Sequence, residues 1–152
     1  MKIAIISDTH NNWANFNKAI KWISREKIKL ILHCGDIQSQ EVIDDAKKTF
    51  DGEIKFVKGN GDWNLDLPEK MELEFNSKKV AFTHFPDIAK KLSQSGKFDL
   101  VFYGHTHRAW DEKVGECHMI NPGELAGQFY KPTFAVYDTD TGNLELKILE
   151  KL

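Results

Sequence analysis

Residues 100–107 read Leu-Val-Phe-Tyr-Gly-His-Thr-His, an apolar run that ends in two histidines. The apolar part is typical of a buried strand in a parallel sheet. Side chains repeat every second residue in extended backbone, so we expect His105 and His107 to point to the same side of the chain. Gly104 has no Cβ and lets the chain turn where the strand ends. This stretch therefore predicts a strand that presents two imidazoles together.

Four further apolar runs, residues 3–6, 30–32, 54–57 and 80–82, also end in polar side chains. In that order they lead to Asp8 and His10, to Asp36, to Asn60 and Asp62, and to His84. Ligand sites in α/β proteins lie outside the carboxyl ends of strands. We therefore expect the five strand ends to converge on one site.

The rest of the pattern predicts an α/β core completed by a second sheet. Apolar residues spaced three and four apart predict a helix from Trp13, and further helices are predicted over 39–50 and 87–95. Strands are predicted over 2–7, 28–33, 53–57, 71–76, 79–83, 99–103, 109–114, 116–121, 133–138 and 144–150. The first strand–helix–strand unit implies parallel strands, whereas the last third indicates antiparallel hairpins.

Length and composition predict one globular domain over residues 1–152, because 152 residues with 41% hydrophobic content can bury a core unaided. No apolar segment approaches the roughly 18 residues that span a bilayer, so we expect a cytoplasmic protein with no membrane partner. Cys34 and Cys117 lack CxxC partners and are interpreted as structural thiols. A net charge of -2 argues against binding to long nucleic acid.

The polar residues at the strand ends form a typical donor set for divalent cations. The candidate metal ligands are Asp8, His10, Asp36, Asn60, His84, His105 and His107. Imidazole, carboxylate and amide donors without thiolate suit manganese, iron, nickel or zinc. Seven ligands exceed the need of one ion, so we predict two ions that a carboxylate can bridge. Two such ions outweigh two aspartates in charge, which favours an anionic substrate such as a phosphate ester.

Taken singly, these residues have ordinary structural explanations. An aspartate at a strand end is often a helix N-cap, and a lone histidine is often a hydrogen-bonded core residue. The prediction therefore depends on their joint occurrence, which includes four of the six histidines. The other two, His33 and His118, are interpreted as a hydrogen-bonded structural residue and a surface or packing residue.

In this order the residues resemble the motifs of calcineurin-like metallophosphoesterases. Asp8-Thr9-His10 matches D-x-H, Gly35-Asp36 matches G-D, residues 59–62 match G-N-x-D, and residues 104–107 match G-H-x-H, with His84 as the isolated histidine. Together with the turn at residues 121–123, the motifs resemble the small single-domain prokaryotic phosphodiesterase branch over nearly the whole chain.

The resemblance implies a four-layer αββα sandwich, in which two mixed sheets are packed together and flanked by helices. It also implies two divalent metal ions, with manganese favoured over nickel, cobalt, iron or zinc. One ion is held by Asp8, His10, Asp36 and His107, and the other by Asp36, Asn60, His84 and His105. Asp36 is then the bridge, and a metal-bridging hydroxide attacks phosphorus in line.

Three departures from the family pattern stand out. Gly61 replaces the usual general-acid histidine, Phe85 and Pro86 follow His84 where glycine is common, and Glu124 replaces a serine after the Asn-Pro-Gly turn. Asn60, Asp62 and Arg108 are the candidate catalytic residues. Asp62 would orient a ligand or solvent, and Arg108 would contact phosphate unless it is only a solvated loop charge.

The resulting hypothesis is a binuclear metal-dependent phosphodiesterase that hydrolyses small phosphodiesters. A phosphomonoesterase and a non-catalytic phosphoesterase-like scaffold are the alternatives, and a homodimer stays open. Trp13, Trp63 and Trp110 lie near the motifs and could form an aromatic wall for a nucleoside or aryl group, but core packing is favoured for each.

Overall fold

The computed structural model describes residues 1–152 and contains every predicted strand and helix. The strands are β1 (Lys2–Ile6), β2 (Leu30–His33), β3 (Glu53–Phe56), β4 (Lys70–Phe75), β5 (Lys78–Thr83), β6 (Leu100–Phe102), β7 (Trp110–Val114), β8 (Cys117–Asn121), β9 (Thr133–Asp138) and β10 (Leu144–Ile148). The helices are α1 (Trp13–Arg25), α2 (Gln40–Thr49) and α3 (Pro86–Gln94), and a 3₁₀ turn covers Leu149–Lys151. None of the helices has both the length and the apolar character that a membrane-spanning segment needs.

Two strand boundaries differ from the sequence prediction by two residues, whereas the others differ by one residue or not at all. Strand β2 begins at Leu30 because Ile28 still lies in the turn that closes α1, where its N–H donates to the Ile23 carbonyl at 3.2 Å. Strand β10 ends at Ile148 because the next residue of the partner strand, Pro132, accepts from the Leu149 N–H at 2.9 Å but has no N–H to donate in return.

The strands form two five-stranded mixed sheets. The first has the order β10-β9-β1-β2-β3, in which β1, β2 and β3 are parallel and Ala4 lies opposite Ile31. The second has the order β4-β5-β6-β8-β7, in which β5, β6 and β8 are parallel. The expectation of simple hairpins in the last third is therefore incomplete. The hairpin of β7 and β8 belongs to the second sheet, and the hairpin of β9 and β10 belongs to the first. Strand β8 also pairs in parallel with β6.

Alternation of apolar residues along the strands builds four layers. In β1, Ile3 and Ile5 face the second sheet, whereas Ala4 and Ile6 pack against α1 and α2. Phe82 and Phe102 of the second sheet share the inter-sheet core with Ile3 and Ile5. Helix α3 covers the outer face of the second sheet. The predicted αββα sandwich is confirmed.

Side-chain caps and the strand directions position the loops that matter for function. Asn12 caps α1 by accepting from the N–H of Asn15, and Ser39 caps α2 as predicted. Both helices start just after loops that follow parallel strands. Strands β1, β2, β3, β5 and β6 thus direct their carboxyl ends toward one edge of the sandwich.

Candidate metal centre

The loops after β1 and β6 bring three donor atoms together, which we call the first donor cluster (Asp8, His10 and His107). Nε2 of His10 lies 3.1 Å from Nε2 of His107. Both nitrogens lie 3.3 Å from Oδ1 of Asp8. The aspartate is fully buried, and the imidazoles are about a tenth exposed. Three potential ligand atoms therefore surround one point.

The loops after β2, β3, β5 and β6 form a second donor cluster (Asp36, Asn60, His84 and His105). Oδ1 of Asn60 lies 3.0 Å from Nε2 of His84 and 3.1 Å from Nδ1 of His105. Oδ2 of Asp36 lies 3.4 Å from Nε2 of His84. All four side chains present one donor atom to the same space.

Asp36 links the two clusters. The same oxygen that faces His84, Oδ2, lies 3.7 Å from Nε2 of His10 in the first donor cluster. Its other oxygen, Oδ1, accepts a hydrogen bond of 2.7 Å from the N–H of Gly61. The carboxylate is therefore held in place by backbone and placed between the clusters.

The hydrogen bonds of His84 and His107 leave the Nε2 atom of each free to bind a cation. Nδ1 of His84 lies 2.8 Å from the Cys34 carbonyl, and a carbonyl can only accept, so this nitrogen carries the proton. Nε2 of His84 then presents a lone pair toward the oxygens of Asn60 and Asp36. Nδ1 of His107 likewise donates to Glu124, and its Nε2 lone pair faces His10 and Asp8. Electron pairs that face one another at such distances are stabilised by a cation between them.

Backbone strain is concentrated at these residues. Positive φ angles occur at Asp8 (54°), His10 (45°), Asp36 (59°), His105 (71°) and His107 (65°). Non-glycine residues adopt this left-handed region at a cost and do so mainly at functional sites. The expectation that extended backbone places both histidines of the G-H-x-H motif on one side is therefore wrong. The left-handed turns send His105 to the second donor cluster and His107 to the first.

Two glycines allow the aspartates to approach the backbone closely. A Cβ on Gly59 would lie 2.1 Å from Oδ1 of Asp36, and a Cβ on Gly104 would lie 2.6 Å from Oδ2 of Asp8. No other residue fits at either position without displacing a carboxylate.

The carboxylates and imidazoles of the site shift one another's pKa values. Burial acts to raise the pKa of Asp8, but the hydrogen bond with His10 and the neighbouring imidazoles lower it overall. Burial also acts to raise the pKa of Asp36, but the hydrogen bond with His84 and the neighbouring imidazoles outweigh burial and lower the pKa of Asp36 overall. For His10 and His84, burial lowers the pKa, but the carboxylates outweigh it and raise the pKa overall.

Asp62 and Arg108 lie differently with respect to the donors. The fully buried Asp62 accepts from the N–H groups of Asp36 and Gly59 at 2.8 and 2.9 Å and from that of Gln38 at 2.7 Å, so it joins the loops after β2 and β3. The guanidinium of Arg108 stacks on the exposed ring of Trp110 at 4.9 Å. It makes no hydrogen bond to the donor residues.

Glu124 is a functional candidate whose position the sequence analysis did not foresee. Its carboxylate is fully buried, and Oε2 lies 2.6 Å from Nδ1 of His107. Oε1 accepts from the N–H groups of Gln128 and Phe129. The residue was evident only as a departure from the family pattern, because its contact with His107 depends on the path of two loops.

The exposed aromatic residues also differ from expectation. Trp13 packs against the core formed by α1 and α2, as favoured, but Trp63 is 82% exposed and Trp110 is 48% exposed. Core packing is therefore the wrong interpretation for Trp63 and Trp110. Phe129, which the sequence analysis did not single out, is 75% exposed, and its ring lies 5.1 Å from that of His107.

The remaining histidines and cysteines are structural, as predicted. His33 is fully buried and lies 2.8 Å from the Thr9 hydroxyl, and burial lowers its pKa to about 3. His118 pairs with Asp111 near the surface. Cys34 and Cys117 are buried free thiols, and burial raises the pKa of both.

Comparison with known proteins gives the family of the chain. The model of the calcineurin-like phosphoesterase superfamily domain matches residues 1–142. The chain belongs to this superfamily. Phosphodiesterase MJ0936 of Methanocaldococcus jannaschii is 32% identical to this chain over an alignment of 167 positions. The alignment covers 99% of this chain and 100% of that protein. This calcineurin-like phosphoesterase therefore resembles that relative along nearly the whole length of both chains.

Solved structures agree with the family and the fold. A structure described as a novel archaeal phosphodiesterase has a TM-score of 0.89 and 30% identity, covering 97% of this chain and 99% of its own. Vps29 of Chaetomium thermophilum has a TM-score of 0.77 at 19% identity, covering 97% of this chain and 95% of its own, which shows likeness of fold alone. The donor clusters are thus the candidate metal ligands of a phosphoesterase.

Proposed function

We propose that this phosphoesterase is a binuclear metal-dependent phosphodiesterase that hydrolyses small phosphodiesters. The single observation that carries the proposal is the position of Asp36 Oδ2, within 3.4 Å of His84 and 3.7 Å of His10, between two complete donor clusters. A carboxylate in that position suits a bridge between two ions. The similarity to phosphodiesterase MJ0936 supports the reaction class.

We assign the first ion to Asp8, His10, His107 and Asp36, and the second to Asp36, Asn60, His84 and His105. The donors combine imidazole, carboxylate and amide without a thiolate, which suits manganese, iron, nickel or zinc, and the resemblance to the family favours manganese among them. When bound, two divalent ions supply Lewis acidity and an activated water for attack on phosphorus. Two such ions outweigh the charges of Asp8 and Asp36, so the site attracts an anion although the chain is acidic overall.

Three further side chains position the metal ligands or the substrate. Asp62 accepts from three backbone N–H groups and keeps the loops that carry Asp36 and Asn60 in register. Glu124 fixes His107 in the tautomer whose Nε2 is free to bind metal. Arg108 follows His107 and is exposed, so we propose that its guanidinium pairs with a phosphate oxygen of the bound substrate.

Two features favour diesters with good leaving groups. Arg25 and Arg108 are the only arginines, so the chain lacks an arginine cluster for a terminal phosphate dianion. Gly61 provides no side-chain acid next to Asn60 to protonate the departing oxygen. Residues of both sheets share the inter-sheet core, and we propose that the whole chain acts as one phosphoesterase domain.

The test is hydrolysis of bis(p-nitrophenyl) phosphate and p-nitrophenyl phosphate by the full chain with manganese, nickel or cobalt. We expect metal-stimulated release of p-nitrophenol and a higher kcat/KM for the diester than for the monoester. Asp36→Asn should lower kcat/KM at least 100-fold, whereas Asp66→Asn, at an exposed position, should leave it unchanged. A preference for the monoester would favour the phosphomonoesterase, and no hydrolysis of either ester would overturn the proposal.

A further inference from the structure

An exposed aromatic ring lies directly against the first donor cluster. The Phe129 side chain is 75% exposed, yet its ring is 5.1 Å from that of His107, with the planes at 69°. Exposed apolar groups that border a polar site are typical of ligand-binding surfaces. One face of this ring is therefore available to a group bound next to the first ion.

The loop that carries Phe129 is anchored independently of any ligand. The backbone N–H of Phe129 donates to the buried carboxylate of Glu124 at 3.0 Å. Earlier in the loop, the N–H groups of Leu125 and Ala126 donate to the carbonyls of Ser7 and Asp8 at 3.0 Å. An aromatic ring held on such a support loses little conformational entropy when a ligand binds.

A second ring borders the second donor cluster. Phe85 packs edge-on against His84 with a centroid distance of 5.3 Å and lies 6.1 Å from the ring of His105. This is the residue that replaces glycine after the isolated histidine. The two donor clusters are therefore flanked by one phenylalanine each, and a phosphodiester carries two organic groups.

We infer that Phe129 and Phe85 form the subsites for the two organic groups of the diester, with the retained group on Phe129 and the leaving group on Phe85, and that a planar retained group, a nucleobase or an aryl ring, stacks on Phe129. This inference rests on the proposed phosphodiesterase function. A phenyl ring offers an apolar face but no hydrogen-bonding atom, so it recognises a base by stacking and not by its edge. The substrate class is then a nucleotide or aryl diester, with little preference among bases.

Two esters with the same leaving group test the Phe129 subsite. Thymidine 5′-(p-nitrophenyl phosphate) carries a base, whereas methyl p-nitrophenyl phosphate has no planar group on its retained side. Base stacking on one aromatic ring predicts that Phe129→Ala lowers kcat/KM for the thymidine ester about 5- to 20-fold. The same variant should change kcat/KM for the methyl ester less than about 2-fold, since Phe129 holds Glu124 through its backbone alone.

Two controls and a binding readout complete the design. Phe129→Leu keeps an apolar side chain without a π face and should recover only part of the loss. Leu146→Ala removes an apolar side chain on β10 that is 49% exposed, and it should leave the ratio of the two esters unchanged. Competitive inhibition by thymidine 5′-monophosphate should weaken in Phe129→Ala about as much as kcat/KM, whereas inhibition by inorganic phosphate should not.

The outcomes separate this inference from the proposed function. Hydrolysis of both esters with the same ratio in the wild type and in Phe129→Ala would overturn the stacking subsite and leave the phosphodiesterase in place. No metal-stimulated hydrolysis of either ester by the wild type would overturn the proposed function and this inference with it.

Discussion

Replacement of Glu124 by glutamine perturbs the first donor cluster through the proton of His107. In the native protein Oε2 accepts from Nδ1 of His107 at 2.6 Å, and Oε1 accepts from the backbone N–H groups of Gln128 and Phe129. A glutamine has one oxygen and one NH₂ group, so it can accept hydrogen bonds either from His107 or from the two backbone N–H groups, but not from both. If its oxygen keeps the two backbone bonds, its NH₂ group faces Nδ1 of His107 and moves the histidine proton to Nε2.

The magnitude follows from the two orientations of the amide. Turning the NH₂ group toward the loop would point it at the backbone N–H groups of Gln128 and Phe129 and leave both without their acceptor, so the first orientation is favoured. The histidine must then change tautomer before it can bind metal. Loss of such a supporting hydrogen bond typically lowers metal affinity 10- to 100-fold. We expect this loss for one equivalent of metal and no change for the other.

Competition with a chromophoric chelator measures both affinities. The metal-free full-length protein is titrated with manganese or cobalt in the presence of the chelator, for the wild type and Glu124→Gln. Glu116→Gln, at an exposed position, is the matched control and should bind as the wild type does. If Glu124→Gln also binds both equivalents with wild-type affinity, the role assigned to Glu124 is wrong.

Three further predictions concern stability. His33 is buried with a pKa of about 3 against an ordinary value of 6.5, so the unfolded chain binds more protons between these values. The free energy of unfolding should therefore rise between pH 3 and 6.5 by up to about 1.4 kcal/mol per pH unit. Chemical denaturation at a series of pH values should show a weaker pH dependence of this free energy in His33→Gln. In Gly104→Ala the new Cβ would lie 1.9 Å from the Ser7 hydroxyl, so calorimetry should show a lower melting temperature and metal titration the loss of the first ion. Removal of metal by a chelator should lower the melting temperature by about 5–10 °C for each ion that had been present at 100 times its Kd.

Each of these predictions has an outcome that would contradict it. An equal pH slope in His33→Gln and in the wild type would contradict the assignment of a neutral buried imidazole. Gly96→Ala meets no atom within 4 Å and should cost only the left-handed backbone, about 1–2 kcal/mol. A Gly104→Ala protein as stable as Gly96→Ala would show that the close approach to Ser7 is unimportant. An unchanged melting temperature after chelation would contradict metal binding by the folded state.

The sequence predicts the layers and the location of the site because both depend on short-range patterns. Apolar runs such as residues 3–6 identify buried strands, and the rule that ligands lie at the carboxyl ends of strands brings the donor residues to one edge. The separation into two clusters does not follow from periodicity. The resemblance to the family implied two separate ligand sets, whereas the strand period placed His105 and His107 on one side. The period failed because the left-handed backbone at both residues cannot be inferred from an alternating pattern.

Other features depend on loop paths that the local pattern does not encode. Glu124 reaches His107 across 17 residues of sequence, and only its departure from the family pattern marked the position. Phe129 and Trp63 are apolar residues for which burial is the ordinary expectation, yet both are exposed. Their exposure depends on loops anchored by backbone hydrogen bonds, such as those from Leu125 and Ala126.

The number of metal ions bound per chain tests the central claim most directly. Metal-free wild type and Asp36→Asn are loaded with manganese or zinc, and bound metal is measured by elemental analysis and by calorimetric titration. The account predicts two equivalents for the wild type and the loss of at least one tightly bound equivalent in Asp36→Asn. A single equivalent in the wild type, or two unchanged equivalents in Asp36→Asn, would contradict a centre in which Asp36 joins two ions.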